Sequence, residues 1–311
     1  MIRVHLTKAP LARRALGAAA GLVLDQVVGE PPVPGGLHPV ALFGAAAGHL
    51  ERRVYASGSP TLVARGALYA AAGAGAATGA GWVLRSPVVA GYLATSGRAL
   101  HQAARHVAEA LDRHDLDQAR ARLPALVGRD PSALDSGEVA RAAVESVAEN
   151  TTDAIVAPAL WTATAGAPGA FLHRAADTLD SMVGYHNPRY EGFGRASARL
   201  DDALAWLPAR ITAALVALVR PRRAGAILTA VRRDASGHPS PNAGVAEASF
   251  AAALEVQLGG VNRYGDLVED RARLGDGRPV EPDDICAAVR LSRDVTWALV
   301  GLLVTAAGVT R

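Results

Sequence analysis

Three carboxylates, Glu145, Glu149 and Asp153, recur at intervals of four in the run ESVAENTTDAIVAP, directly before an uncharged stretch. On a helix that spacing places them on one face, with Asn150 alongside. Ionised carboxylates only accept hydrogen bonds, so a row of them repels itself unless a cation or an arginine joins it. Hard oxygen ligands of this kind suit magnesium, which keeps several waters and shares substrate phosphates. A solvated helix face paired with Arg141 would account for the same spacing. The direct junction with an uncharged run favours chemistry, because burying such groups is costly unless each has a partner or a task.

A second group follows about twenty residues later. Asp177 and Asp180 lie three apart in DTLDS with Ser181, then come Tyr185, Asn187 and Arg189, and Arg195, Arg199, Asp201 and Asp202 complete it. The arginine fork matches phosphate or carboxylate, and Lys8 is the only lysine in the chain, so arginine is the anion clamp available here. Ion pairs of Arg199 with Asp201 and Asp202 at a helix start would explain those three equally well. Ser240 and Asn242, in the turn SPNAG ahead of a further helix, fit either anion binding at a helix N-terminus or simple capping, and capping is the commoner use.

Several chemistries are excluded. A P-loop needs a Gly-Lys-Ser/Thr triplet, which the chain lacks, and there is no HExxH, G-x-S-x-G or correctly spaced G-x-G-x-x-G. Cys286 stands alone, which rules out an intrachain disulfide and a cysteine-based zinc site. The nine histidines show no metal-ligand spacing and read mostly as surface or interfacial residues. A formal charge of +3 over 311 residues gives no reason to expect nucleic acid.

These groups need elements to hold them. Half of the chain is apolar, which is high for a soluble protein. Uncharged or apolar segments near 15–28, 66–97, 154–172, 203–219 and 295–310 alternate with polar, site-bearing regions at 98–153, 173–202 and 220–294. The nineteen residues Gly66 to Leu84 nearly match a hydrocarbon core of about 30 Å. Ala154 to Leu172 is as long, but Pro158, Pro168 and the glycines between predict a broken or re-entrant segment. Gly17 with Gly21, and Gly44 with Gly48, provide small-residue spacing for close helix contact. The basic start and short apolar run at the N-terminus resemble a signal peptide as much as a membrane segment, and a retained segment is favoured because further apolar runs follow.

Asp135 or Ser136 with Glu138 predicts the start of the helix that carries the first carboxylates. The stretch NRYGDLVEDRARLGDGRPVEPDD reads as loop, and a last helix is expected over Val295 to Thr310 with Arg311 snorkelling. With no alternating strand pattern, the expected fold class is all-α: a polytopic integral membrane helical bundle with polar helical loops, forming one membrane-embedded domain over 1–311.

ESVAENTTDAIVAP, DTLDSMVGYHNPRYEGFGRASARLDD and SPNAGVAEASFAAALEVQLGGVNRYG, with the early LDQVVGEPP and HPV, resemble the CobD/CbiB family of cobalamin biosynthesis, the adenosylcobinamide-phosphate synthases, over nearly the full length. Asp177 stands where that pattern usually has Asn, Val245 and Ala246 replace Trp-Pro, and Glu255 replaces Gly. The resemblance implies a multi-pass enzyme of the inner cell membrane with its active site on the cytoplasmic side. It would join aminopropanol, free or phosphorylated, to the free carboxylate of adenosylcobyric acid in an ATP-dependent amide ligation. Magnesium would be held by Glu145, Glu149, Asp153 and Asp180, and phosphates by Arg189, Arg195 and Arg199. Asn150, Tyr185 and Asn242 would orient substrate. The setting is compatible with a homo-oligomer or with association with other membrane enzymes of the pathway. A corrinoid transporter, binding or assembly component without ligase activity would use the same polar groups without consuming ATP.

Overall fold

The computed structural model describes residues 5–31, 33–128, 130–185, 187–264 and 267–309, with the side chains of 5–9, 35 and 261–270 left out. Arg311, invoked above for snorkelling, lies outside the described residues. The chain is predominantly helical: α1 (His5–Val28), α2 (Pro39–Val54), α3 (Leu62–Leu84), α4 (Pro87–Ala94), α5 (Gly97–Asp112), α6 (Leu116–Arg122), α7 (Ser136–Thr151), a π-turn (Thr152–Val156), α8 (Ala157–Ala165), α9 (Ala167–Val183), α10 (Arg195–Val219), α11 (Ala224–Asp234), α12 (Ala243–Leu254) and α13 (Asp283–Val309). Two compact units of discontinuous sequence form: one from 1–96, 157–205 and 300–311, the other from 97–156 and 206–299.

In the first unit, glycines set the helix packing. A side chain at Gly66 would strike the Phe193 backbone, one at Gly73 would press on Leu179, and one at Gly81 would meet Pro168. This glycine face lets α3 lie against α9 and the segment after it, around a core of Ala47, Tyr69, Leu179, Val183 and Phe193. Gly17 and Gly21 do the same for α1 against α4, where added Cβ atoms would lie 2.7 Å from Pro87 and from the Tyr92 amide. Gly44 faces open space, so of the second glycine pair only Gly48 has a close neighbour, Met182.

The apolar run expected over 66–97 is two helices, broken at Arg85, which ends α3 in the left-handed region at φ 56°. The expected break in 154–172 falls at Gly166, φ +72°, and Pro168 starts the next helix. Pro158 does not break the chain. It has no amide hydrogen to offer the Ala154 carbonyl, and the helix widens into the π-turn just before it.

The second unit contains the correction to an all-α fold. Val256–Tyr264 (β1) and Leu267–Leu274 (β2) form an antiparallel hairpin, and Arg278–Pro279 (β3) pairs in parallel with β1. The region read as loop is therefore a small sheet. Its register slips between Leu258 and Gly260, where Gly259 at φ +78° packs against the Ala272 carbonyl. That bulge and the paired glycines break the alternation by which a strand is recognised. The last helix is also longer than expected. Residues 283–294 continue into the apolar run, and Asp284 is fixed by Arg278 at 2.7 and 2.9 Å. Among the described residues two helices, Leu62–Leu84 and Arg195–Val219, are by length and composition apolar enough to cross a membrane.

Candidate active site

Helix α7 begins with the expected cap. Asp135 accepts the Glu138 amide at 2.8 Å, and Glu138 accepts the Asp135 amide at 2.9 Å. About two turns further on, the carboxylate row divides. Glu145 is buried, and its Oε1 accepts from Arg141 at 2.9 Å and from the Gly259 amide at 2.9 Å, while Arg141 also donates to the Gly259 carbonyl at 2.6 Å. These three bonds hold the β-bulge on α7. Glu149 is exposed and Asp153 half-buried. The Arg141 pairing expected as an alternative is formed with Glu145, in a buried setting.

The side of the helix away from Glu149 and Asp153 is tied down. Thr151 donates to Ser292 at 2.7 Å, the His101 ring lies 2.9 Å from the same hydroxyl, and Thr152 donates to Thr212 at 3.0 Å. Burial lowers the His101 pKa to about 4, with Arg105 and Arg293 adding to the effect, so the ring is neutral at pH 7. Asn150 donates to the Ser146 carbonyl and hydroxyl at 3.0 and 3.2 Å. The π-turn that carries Asp153 follows at once, and widened turns of this sort recur at functional sites.

Ser240 and Asn242 belong to the same unit. The Ser240 hydroxyl accepts the Asn242 and Ala243 amides at 3.3 and 3.1 Å, so it caps α12, the commoner of its two expected uses. Asn242 is buried and accepts from Arg210 at 2.9 Å; that guanidinium lies 4.5 Å from the centre of the Trp206 ring. Sequence reasoning missed His238 and Glu247, whose side chains are both 5% exposed and 3.6 Å apart. Glu247 was detectable as the one carboxylate inside the apolar run GVAEASFAAA.

The second polar group lies in the other unit. Arg174 reaches Asp177 at 3.0 Å and Ser96 at 3.3 Å. Asp180 packs so tightly on Gly184 that any Cβ there would overlap its carboxylate. Asn187 shapes a turn by accepting the Arg189 and Tyr190 amides, each at 3.0 Å. Arg189 is held by Glu51 at 2.9 Å and lies over the rings of Tyr55 and Tyr190, whose hydroxyl also donates to Glu51 at 2.9 Å. Burial and the bond to Glu51 raise the Tyr190 pKa. Ser181 and Tyr185 are exposed, and Asp201 and Asp202 are half-buried. Arg195 and Arg199, one turn apart on α10, are exposed and make no ion pair with a described carboxylate, so the expected pairing of Arg199 with Asp201 and Asp202 is not formed.

Among the described residues no three His, Cys, Asp or Glu side chains gather as a metal cage. Glu145 fits such a role poorly, since the oxygen facing Arg141 and Gly259 is already bonded. Glu149 and Asp153 present two carboxylates on successive turns. That donor set suits a magnesium ion that completes its shell with water and phosphate.

Residues 18–292 match the family model described as CobD/Cbib protein. The chain belongs to the CobD/Cbib family. Three curated CobD/Cbib relatives, each named cobalamin biosynthesis protein CobD, align over most of their length. The one from Mycobacterium tuberculosis H37Rv is 47% identical over 91% of this chain and 92% of its own. That of Chromobacterium violaceum is 41% identical over 94% and 96%, and that of Stutzerimonas stutzeri 40% over 92% and 94%. No solved structure matches the chain. Glu255, expected above to stand in place of a glycine, ends α12 in the left-handed region at φ 59°, a conformation that favours glycine.

Proposed function

We propose that this chain acts in cobalamin biosynthesis as an ATP-dependent amide synthase, joining aminopropanol or its phosphate to the free carboxylate of adenosylcobyric acid. Family membership supports the pathway. The observation that carries the enzymatic reading is the division of the carboxylate row, with Glu145 buried in structural bonds, and Glu149 exposed and Asp153 half-buried beside a π-turn anchored from behind. A carboxylate is a poor acyl donor, so transfer of the γ-phosphoryl group of ATP to it, releasing ADP, would precede attack by the amine and loss of phosphate. Most of the rate enhancement would come from positioning and charge neutralisation.

Glu149 and Asp153 would hold a magnesium ion, which when bound neutralises phosphate charge. Asn150, in the same unit, would orient substrate, and Arg195 and Arg199, which make no ion pair with a described carboxylate, would offer a phosphate site within the first unit. Arg189, engaged by Glu51, would act only if that bond exchanged for one to substrate. The chain would reside in the cell membrane through α3, α10 and further segments, with this site facing the cytoplasm.

Membranes containing the purified chain, given adenosylcobyric acid, ATP, magnesium and either form of the amine, should yield a product whose mass equals the two substrates less water, with one ADP per product. Absence of product with both amines would overturn the ligase reading. Corrinoid binding without ADP release would support a carrier instead.

A further inference from the structure

We propose that the first unit carries a separate binding site for the phosphate of an anionic phospholipid headgroup, lined by Arg13, Arg14 and Arg85. A cleft of about 900 Å³ lies between the early part of α1 and the α3–α4 turn, with Arg13 and Arg85 on its walls. A second cavity of about 450 Å³ shares those two arginines and adds Arg14, Trp82 and the start of α9. No carboxylate lines either cavity among the described residues. Arg14 donates to the Thr164 carbonyl at 2.9 Å and Arg85 to the Trp82 carbonyl at 3.1 Å, bonds that fix the side chains without neutralising them. Arg13 is exposed and makes no ion pair with a described carboxylate.

The surrounding backbone has the same electrostatic sense. Both α4 and α9 begin at these cavities, through Pro87 and through Ala167–Pro168, so two positive helix ends add to three guanidinium groups. Glycines make the convergence possible: Gly17 admits Pro87 against α1, Gly81 admits Pro168 against α3, and Gly166, at φ +72°, turns beside Arg14. An uncompensated cluster of arginines built by close backbone packing is suited to a phosphate, which accepts bidentate bonds from the guanidinium fork.

The source of the phosphate follows from position. Arg85 directly follows α3, one of the two helices able to cross a bilayer, and the last turn of α3 leaves Trp82 66% and Val83 84% exposed. An exposed tryptophan and an arginine at the end of an apolar helix belong at headgroup depth, with acyl chains against the apolar surface. This assignment rests on the membrane reading given above.

The test uses the full chain extracted from membranes in neutral detergent. Its ligands are short-chain phosphatidylglycerol below its micelle concentration, the matching phosphatidylcholine, and inorganic phosphate, with native mass spectrometry and thermal shift as readouts. Phosphatidylglycerol should bind best, and Arg13→Gln and Arg85→Gln should each weaken it about fivefold, the effect of roughly one interfacial arginine. Arg53→Gln, which removes the same charge from the exposed end of α2, should leave binding unchanged, and ligand-free melting temperatures establish that each variant is folded. Equal binding of phosphatidylglycerol by the double variant, or an equal loss in Arg53→Gln, would overturn the site. Equally strong binding of inorganic phosphate at the same arginines would overturn the lipid source. Fractionation reports on the membrane reading separately: recovery of the chain in the soluble fraction would overturn that reading and the lipid source together, whereas failed phospholipid binding by a membrane-extracted chain overturns the cleft alone.

Discussion

The Glu145 carboxylate lies 2.9 Å from the amide nitrogen of Gly259, 114 residues away, and the same oxygen accepts from Arg141. A group placed by spacing alone in a metal-binding row is thus the pin that holds the hairpin to α7. Removing its charge takes the counter-charge from a buried arginine and weakens the bond to the amide. Glu145→Gln should therefore destabilise the chain by about 1–3 kcal/mol, measured by denaturant unfolding, before any effect on chemistry is considered.

Glu149 makes the opposite prediction. It is exposed on the same helix, so Glu149→Gln should change stability by less than about 0.5 kcal/mol. Under the proposed mechanism it should slow amide synthesis by about a hundredfold or more, since it removes one of the two carboxylates that would hold the charge-neutralising magnesium ion. Full activity in Glu149→Gln would remove this residue from the mechanism.

Arg199→Gln should leave the unfolding curve unchanged, because the side chain is exposed and makes no ion pair with a described carboxylate. Steady-state kinetics should show KM rising for a phosphorylated substrate, by about tenfold for the loss of one charge-assisted contact worth about 1.5 kcal/mol. An unchanged KM for ATP and for aminopropanol phosphate would count against a phosphate role.

Glu255→Gly should stabilise the chain by up to about 1 kcal/mol. The residue sits at φ 59°, a conformation glycine adopts without penalty, and its pairing with Arg223 is between exposed groups of little worth. A loss of stability in urea unfolding would mean that the Arg223 contact outweighs the backbone gain.

His101 provides a pH dependence. Its folded pKa of about 4 is below the ordinary 6.5, so between those values the unfolded chain binds more protons than the folded one. This contribution is fully present above pH 6.5 and is lost as pH falls toward 4, by about 3 kcal/mol in all. Comparing unfolding across that window with His101→Gln should show the variant less sensitive to acid. Equal slopes would show that another group carries the dependence.

Much of the helical framework was legible from local pattern. The Asp135 and Glu138 cap and the break near Gly166 follow from propensities acting within a few residues, whereas the same small-residue spacing gave close packing at Gly17 and Gly21 but open space at Gly44. The hairpin was not legible. Its strands are interrupted by Gly259 and Gly260, and what fixes them is Glu145 and Arg141 on a distant helix.

The same distinction separates determined from decided in the carboxylate row. The sequence by itself determined that Glu145, Glu149 and Asp153 share a helix face, because the helical repeat requires it. Which of them is structural was decided by the tertiary structure, which brings Gly259 to Glu145 and leaves Glu149 exposed. The reason is that a carboxylate's role depends on its desolvation and on the donors that meet it, and those donors come from parts of the chain that spacing does not relate.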